Sequence, residues 1–156
     1  MVSVAIVEIV QSGDLERIAA FYRTAGYGGG VSADDITFAA CVEGRIVGAV
    51  RLCKEAGVTV LRGMQVDPAF QRQGIGRMLL RHCLPHLEGG AAYCLPYAHL
   101  AGFYGEAGFV PAPPAMLPPF LAERLASYLR QGQGVIAMRR SGAPHMPNRS
   151  CASRMA

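Results

Sequence analysis

The sequence lacks any apolar stretch approaching the roughly 20 residues that a membrane span needs. It also lacks a basic segment ahead of an apolar core at its start, where Glu8 interrupts the apolar run. Neither a bilayer span nor a secretory leader is expected, and the expected location is the cytoplasm. Five cysteines, Cys41, Cys53, Cys83, Cys94 and Cys151, form no Cys-x-x-Cys pair and no Cys/His metal spacing, which argues against a zinc module. The first four fall in apolar segments, where a reduced thiol behaves as a small hydrophobe. His82 and His86 stand four apart without a third ligand nearby in sequence, so they read as surface residues and no metal is expected. No basic run is interleaved with aromatics, so the net charge of +4 does not read as a nucleic-acid surface. Arg140, Arg149 and Arg154 carry much of that charge at or in the tail. Lys54 is the single lysine among fifteen basic residues, a bias we assign to genomic base composition. No internal repeat is visible.

What is present is enough for one core. A chain of 156 residues that is 51% apolar and 17% charged, with mean hydropathy +0.24, is a compact globular protein rather than a disordered one. Val4 to Val10 reads as a strand. Ser12 or Asp14 then caps a helix with Leu15, Ile18, Ala19, Tyr22 and Ala25 on one side, closed by Gly26. A glycine-rich loop follows through Asp35. Ile36 to Val42 and Ile46 to Cys53 read as strands joined by a hairpin at Glu43-Gly44-Arg45. Glu55-Ala56-Gly57 turns the chain into the next strand, Val58 to Val66, where Val58, Val60, Met64 and Val66 keep the two-residue period and put Arg62 in the same row.

Asp67-Pro68 ends that strand, because proline cannot donate to a ladder and pushes its predecessor out of helical space. From Ile75 the residues Ile75, Met78, Leu79, Cys83 and Leu87 take helical spacing, with Pro85 marking a kink or an early end. Gly74 and Gly76 therefore sit at a helix start, where unpaired amides and the positive end of the helix suit a phosphate or pyrophosphate. A Walker loop would need Lys-Ser or Lys-Thr where Arg77-Met78 stands, and a dinucleotide fingerprint would need a third glycine where Leu79 stands. Both common nucleotide readings weaken.

The segment Gln71-Arg72-Gln73-Gly74-Ile75-Gly76 resembles the signature of the GNAT superfamily of acyl-CoA-dependent N-acetyltransferases, Gln/Arg-x-x-Gly-x-Gly/Ala. Gly102 to Phe109 is similar to the family's Phe-Tyr-x-x-x-Gly-Phe block, in the right order along the chain. The resemblance covers about residues 1 to 140, most securely 58 to 110. It implies a mixed α/β fold whose central sheet has about six to seven strands flanked by helices, with strands 4 and 5 parallel and splayed apart. It also implies acetyl-CoA as donor, its pantetheine arm along Met64, Gln65 and Val66 and its pyrophosphate at Gln71, Arg72, Gln73, Gly74, Ile75, Gly76 and Arg77. Gly63 is a candidate for the bulge that starts the splay. Tyr104, by its place in the second block, is the expected general acid to the CoA thiolate. An ordinary phenol and thiol have pKa values of about 10 and about 8.5, close enough for that exchange.

The general base is not legible. Where many relatives carry a glutamate on the fourth strand this chain has Arg62, and Ala91 to Leu95, the fifth strand, contains no acid. His99, Glu106 or a water chain are candidates. Arg62 either holds a carboxylate on the acceptor or pairs with an acidic residue of the chain. Beyond Phe109 a proline connector leads to a helix from Pro118-Pro119 to Arg130 with Leu121, Leu125, Tyr128 and Leu129 inward, and Gly134 to Arg140 closes as a strand. That helix is longer than the family's usual link, and a homodimer contact is one use for it. Residues 141–156 read as a disordered tail. The expected activity is transfer of acetyl to a primary amine, on a small molecule or a protein, by direct attack. A CoA-binding sensor or interaction module without catalysis is the alternative.

Overall fold

The computed structural model describes residues 3–142, so Cys151 and most of the expected tail lie outside the described residues. The chain divides into two compact units, Met1–Cys83 and Leu84–Ala156. The first contains β1 (Ala5–Ile9), α1 (Ser12–Ala25), β2 (Ile36–Val42), β3 (Arg45–Glu55), β4 (Val58–Val66) and α2 (Ile75–Cys83). In the second are β5 (Ala92–Cys94), α3 (Ala101–Gly105), β6 (Val110–Pro111), α4 (Pro119–Arg130) and β7 (Met138–Arg140).

In the first unit β1 to β4 pair antiparallel in chain order. Two tight turns make this possible. Glu43 and Gly44 both take positive φ (51° and 79°), as do Ala56 and Gly57 (49° and 83°). A turn with two such residues matches the right-handed twist of the strands it joins. On one face of the sheet Ile18 and Tyr22 of α1 pack against Ala39, Ile46 and Ala49, with Ile9, Phe21, Tyr27, Val31 and Cys41 around them. On the other face, Gly48 lets α2 approach: a Cβ there would lie 3.2 Å from Leu79 Cδ1 and 3.3 Å from Ile75 Cγ2.

Several local expectations are corrected. Neither Ser12 nor Asp14 caps α1. Gln11 occupies the cap position without a side-chain bond, because Asp14 lies a turn inside and pairs with Arg17 at 3.4 Å. Ala25 is exposed. The regular part of α2 ends at Cys83, and Leu84–Leu87 tightens into a 3-10 turn around Pro85, where the missing N–H and the ring forbid a further α-helical turn.

The second unit's strands pair antiparallel in the order β5-β7-β6. The closing strand is shorter than expected, Met138–Arg140, preceded by a single bridge from Val135 to Tyr97. In α4 Leu121 and Leu125 are buried, but Leu129, expected inward, is 51% exposed, since it lies in the last turn beyond the covered stripe. Arg140 ties this unit together, donating from Nε to Ala107 O (2.8 Å) and from Nη1 to Leu87 O (3.1 Å), and pairing with Glu88 at 3.6 Å.

Candidate active site

The segment expected to hold the cofactor begins at a break in β4. Residues Ala49 and Gln65 are partners, as are Arg51 and Arg62, so Val50 faces both Gly63 and Met64. That is a bulge, and Gly63 meets its conformational demand with φ +69°. Gly63 is required twice over: a Cβ there would sit 2.5 Å from the Tyr22 hydroxyl. That hydroxyl donates to the Gly63 carbonyl at 2.9 Å.

The bulge also corrects the placement of Arg62. An extra residue reverses the alternation beyond it. Arg62 shares a face with Val58 and Val60 before the bulge and with Gln65 after it, whereas Met64 and Val66 lie on the opposite face. Arg62 Nη1 reaches Glu55 Oε2 at 3.5 Å, both side chains partly exposed.

After Val66 the chain is pinned before it turns. Asp67 donates its N–H to Val47 O (2.8 Å), accepts Ala69 N–H (2.9 Å) on one carboxylate oxygen and pairs with Arg45 (2.9 Å) on the other. The Gln71 side chain folds back to donate to Val66 O at 3.0 Å. Arg72 and Gly74 then take positive φ, +66° and +83°. Gln71 before them is extended (φ −71°, ψ 159°), so the chain turns sharply at Arg72 and again at Gly74 just ahead of the helix start. The Gly74 carbonyl accepts the first helical bond from Met78 N–H at 3.0 Å, so the positive end of α2 begins at Ile75, directly after the turn. Residues 71–74 are exposed while Ile75 is buried as the anchor, and a Cβ on Gly74 would meet nothing within 4 Å. Amide donors, helix polarity and open space at Gly74 together suit a pyrophosphate.

A buried polar cluster lies behind the bulge on the α1 face. Arg51, only 3% exposed, pairs with Asp35 (2.8 Å), donates to the Tyr27 hydroxyl (3.3 Å) and lies with Cζ 5.7 Å from the centre of the Tyr22 ring. Among the described residues the Arg51 Nε atom and Thr37 Oγ1 have no hydrogen-bond partner. Burial opposes the charge of Arg51, but Cys53, Asp35, Tyr27 and Tyr22 outweigh it and hold the guanidinium protonated. Burial pushes the Tyr22 phenol up, against the pull of Arg51. The glycine-rich loop is thus tied to one guanidinium at both Tyr27 and Asp35. Sequence reading passed over this cluster, although an arginine inside the apolar run of β3 was its signal.

In the second unit Tyr104 lies on α3 and is buried, its ring edge-on to Phe103 (4.9 Å) and Phe109 (6.2 Å). Gly108 takes φ +94° and the Tyr104 carbonyl accepts the N–H groups of Ala107 (3.0 Å) and Phe109 (3.3 Å), which fixes the turn after the short helix. Of the candidate bases, Glu106 and His99 are exposed, the latter stacked on Tyr97. A groove of about 410 Å³ in this unit is lined by Val110, Pro111, Met116 and Arg139 among others and includes none of the expected cofactor residues. His82 Nδ1 lies 3.0 Å from Met78 O. Among the described residues no three His, Cys, Asp or Glu side chains gather as metal ligands, and no helix is long and apolar enough to cross a membrane.

Residues 33–111 match the family described as acetyltransferase (GNAT) domain. The chain belongs to this family of acyltransferases. Its mixed α/β fold, with seven strands among the described residues, is that of solved members. N-acetylglutamate synthase from Neisseria gonorrhoeae, complexed with coenzyme A and N-acetyl-glutamate, superposes with TM-score 0.67 at 22% identity over 90% of this chain. The match covers 35% of that protein, so this chain spans about a third of its length. Ribosomal-protein-S18-alanine N-acetyltransferase from Escherichia coli gives TM-score 0.64 at 19% identity, over 92% of this chain and 99% of that one. The PaiA N-acetyltransferase from Thermoplasma acidophilum, in complex with coenzyme A, gives 0.61 at 14%, over 89% and 99%. No curated protein sequence matches the chain.

Proposed function

We propose that the chain transfers an acetyl group from acetyl-CoA to a primary amine by direct attack. The observation that carries the reading is the exposed turn at 71–74, with positive φ at Arg72 and Gly74, placed directly before the start of α2. Backbone at Gln71, Arg72, Gln73, Gly74, Ile75, Gly76 and Arg77 holds the pyrophosphate, and backbone at Met64, Gln65 and Val66 holds the pantetheine arm. Solved neighbours that carry coenzyme A support a donor of this type.

In the reaction the neutral amine adds to the thioester carbonyl, the C–S bond breaks, and the departing sulfur takes a proton from the Tyr104 phenol. The amine's own proton leaves to solvent or to a base among His99 and Glu106. The acceptor is a small amine or a protein amine, and neighbours named for an amino-acid product and for a ribosomal-protein alanine support both kinds. Arg62 exchanges Glu55 for a carboxylate on the acceptor, which its long 3.5 Å contact with Glu55 permits.

Calorimetric titration with acetyl-CoA and CoA tests the donor site, beside Gly74→Glu and Tyr104→Phe. Binding that Gly74→Glu abolishes and Tyr104→Phe preserves is expected, with kcat of Tyr104→Phe lowered by about 100-fold. No binding to either ligand would overturn the reading. The lack of an acid on β5 and at position 62 favours one alternative, a CoA-binding sensor without catalysis. Binding without turnover across a panel of amines would select it.

A further inference from the structure

We propose that Tyr22 is a positioning residue for the donor strand, holding the bulge peptide of β4 in the orientation that acetyl-CoA binding needs. The inference rests on the CoA reading above and extends it to a helix residue outside the cofactor segment. The peptide between Gly63 and Met64 belongs to the extra residue of the bulge, which has no place in the ladder with β3. Tyr22 Oη supplies the missing partner for its carbonyl at 2.9 Å. A trans peptide is planar, so fixing the carbonyl toward α1 directs the Met64 N–H away from α1. A hydrogen bond accepted by the carbonyl also polarises the N–H of the same peptide group, strengthening it as a donor.

Three features show that the contact is built in rather than incidental. Gly63 has no Cβ, and one would collide with this hydroxyl. Arg51 lies against the Tyr22 ring, and a Cβ on Gly63 would come within 3.3 Å of its Nε. Asp35 and Tyr27 hold that guanidinium from the glycine-rich loop, and the Tyr22 and Tyr27 rings meet at 4.7 Å. One run of contacts therefore leads from the loop through Arg51 and Tyr22 to the bulge carbonyl.

Tyr22→Phe keeps the ring and deletes the donor. Acetyl-CoA affinity, read by calorimetry, is expected to fall about fivefold, the loss equivalent to one neutral hydrogen bond. In proton–nitrogen spectra of the free protein the Met64 amide proton is expected to move upfield, because its peptide carbonyl has lost a hydrogen bond. Ile18→Val, in the same core, is the stability control: it lowers the melting temperature and leaves affinity unchanged. If Tyr22→Phe does not fold, Arg51→Lys reads the same step by withdrawing the guanidinium from the ring, and weaker binding is again expected. Wild-type affinity in whichever of the two variants folds, with only the melting temperature lowered, would overturn the proposal and leave the CoA reading intact. Absence of acetyl-CoA binding by the wild type would overturn both.

Discussion

Arg51 and Arg62 are direct partners across the β3–β4 ladder, and each has its own carboxylate: Asp35 at 2.8 Å for Arg51 and Glu55 at 3.5 Å for Arg62. Like charges placed opposite each other destabilise a sheet, so the two acids are what make the pair tolerable. Burial sets their worth apart. Side-chain exposure is 4% and 9% for the Arg51–Asp35 pair but 29% and 22% for Arg62–Glu55.

Removing one partner of the buried pair leaves an uncompensated interior charge, so Asp35→Ala is expected to cost about 3–5 kcal/mol in unfolding free energy. Glu55→Ala breaks a half-solvated contact and is expected to cost less than about 1 kcal/mol. Urea unfolding of both variants measures the difference. Equal costs would mean that Asp35 does not carry the charge of Arg51.

Gly63 and Gly74 both take positive φ but meet different surroundings, and alanine separates the two effects. At Gly74 a Cβ enters open space, so Gly74→Ala carries only the left-handed penalty of about 1–2 kcal/mol. At Gly63 the Cβ also displaces the Tyr22 hydroxyl, adding about 1 kcal/mol for its hydrogen bond. Denaturant midpoints are expected to fall further for Gly63→Ala than for Gly74→Ala. The reverse order would contradict the contact between Tyr22 and the bulge.

Turn and boundary chemistry made much of the fold legible in advance. Glu43-Gly44, Ala56-Gly57 and Asp67-Pro68 each restrict the backbone locally, and the strands they bound were readable for that reason. The loop before α2 was readable as a loop because two glycines at a helix start need a cause. Gly63 marks the bulge in the sequence, but the strand's alternation beyond it depends on which residue is the extra one. One extra residue reversed the row beyond it, and Arg62 was placed with Met64 and Val66 rather than with Gln65. The Tyr22, Arg51 and Asp35 cluster joins residues far apart in the chain, and no local rule reports such pairing. Leu129 failed for a related reason: helical periodicity gives the apolar stripe, but what lies opposite the last turn decides whether it is covered.

Thiol reactivity gives a pH test of the core. Burial pushes Cys53 up to about 11 and Cys83 up to about 12, and raises Cys94 as well. The thiolate is the reactive form, and a raised pKa shrinks its population at any pH below that value. At pH 8 about one Cys83 in 10,000 is ionised, against about one free cysteine in four. In native protein these three thiols are expected to resist alkylation at pH 8 and to react on unfolding, read by mass-spectrometric mapping of labelled sites. Rapid native labelling of Cys83 would show that α2 does not pack on the sheet as described.

Arg62 can be tested against its two roles in one experiment. Its partner Glu55 lies at 3.5 Å and both side chains are partly exposed, so an acceptor carboxylate can compete for the guanidinium from solvent. A charge-assisted bond of about 1.5–3 kcal/mol to such a carboxylate corresponds to about 10- to 150-fold in affinity. Arg62→Ala is therefore expected to raise KM at least about tenfold for an amine that bears a carboxylate, and to leave KM unchanged for the matching amide. Comparing the two acceptors cancels any general loss of stability, which would affect both alike. Equal effects on acid and amide would confine Arg62 to pairing with Glu55.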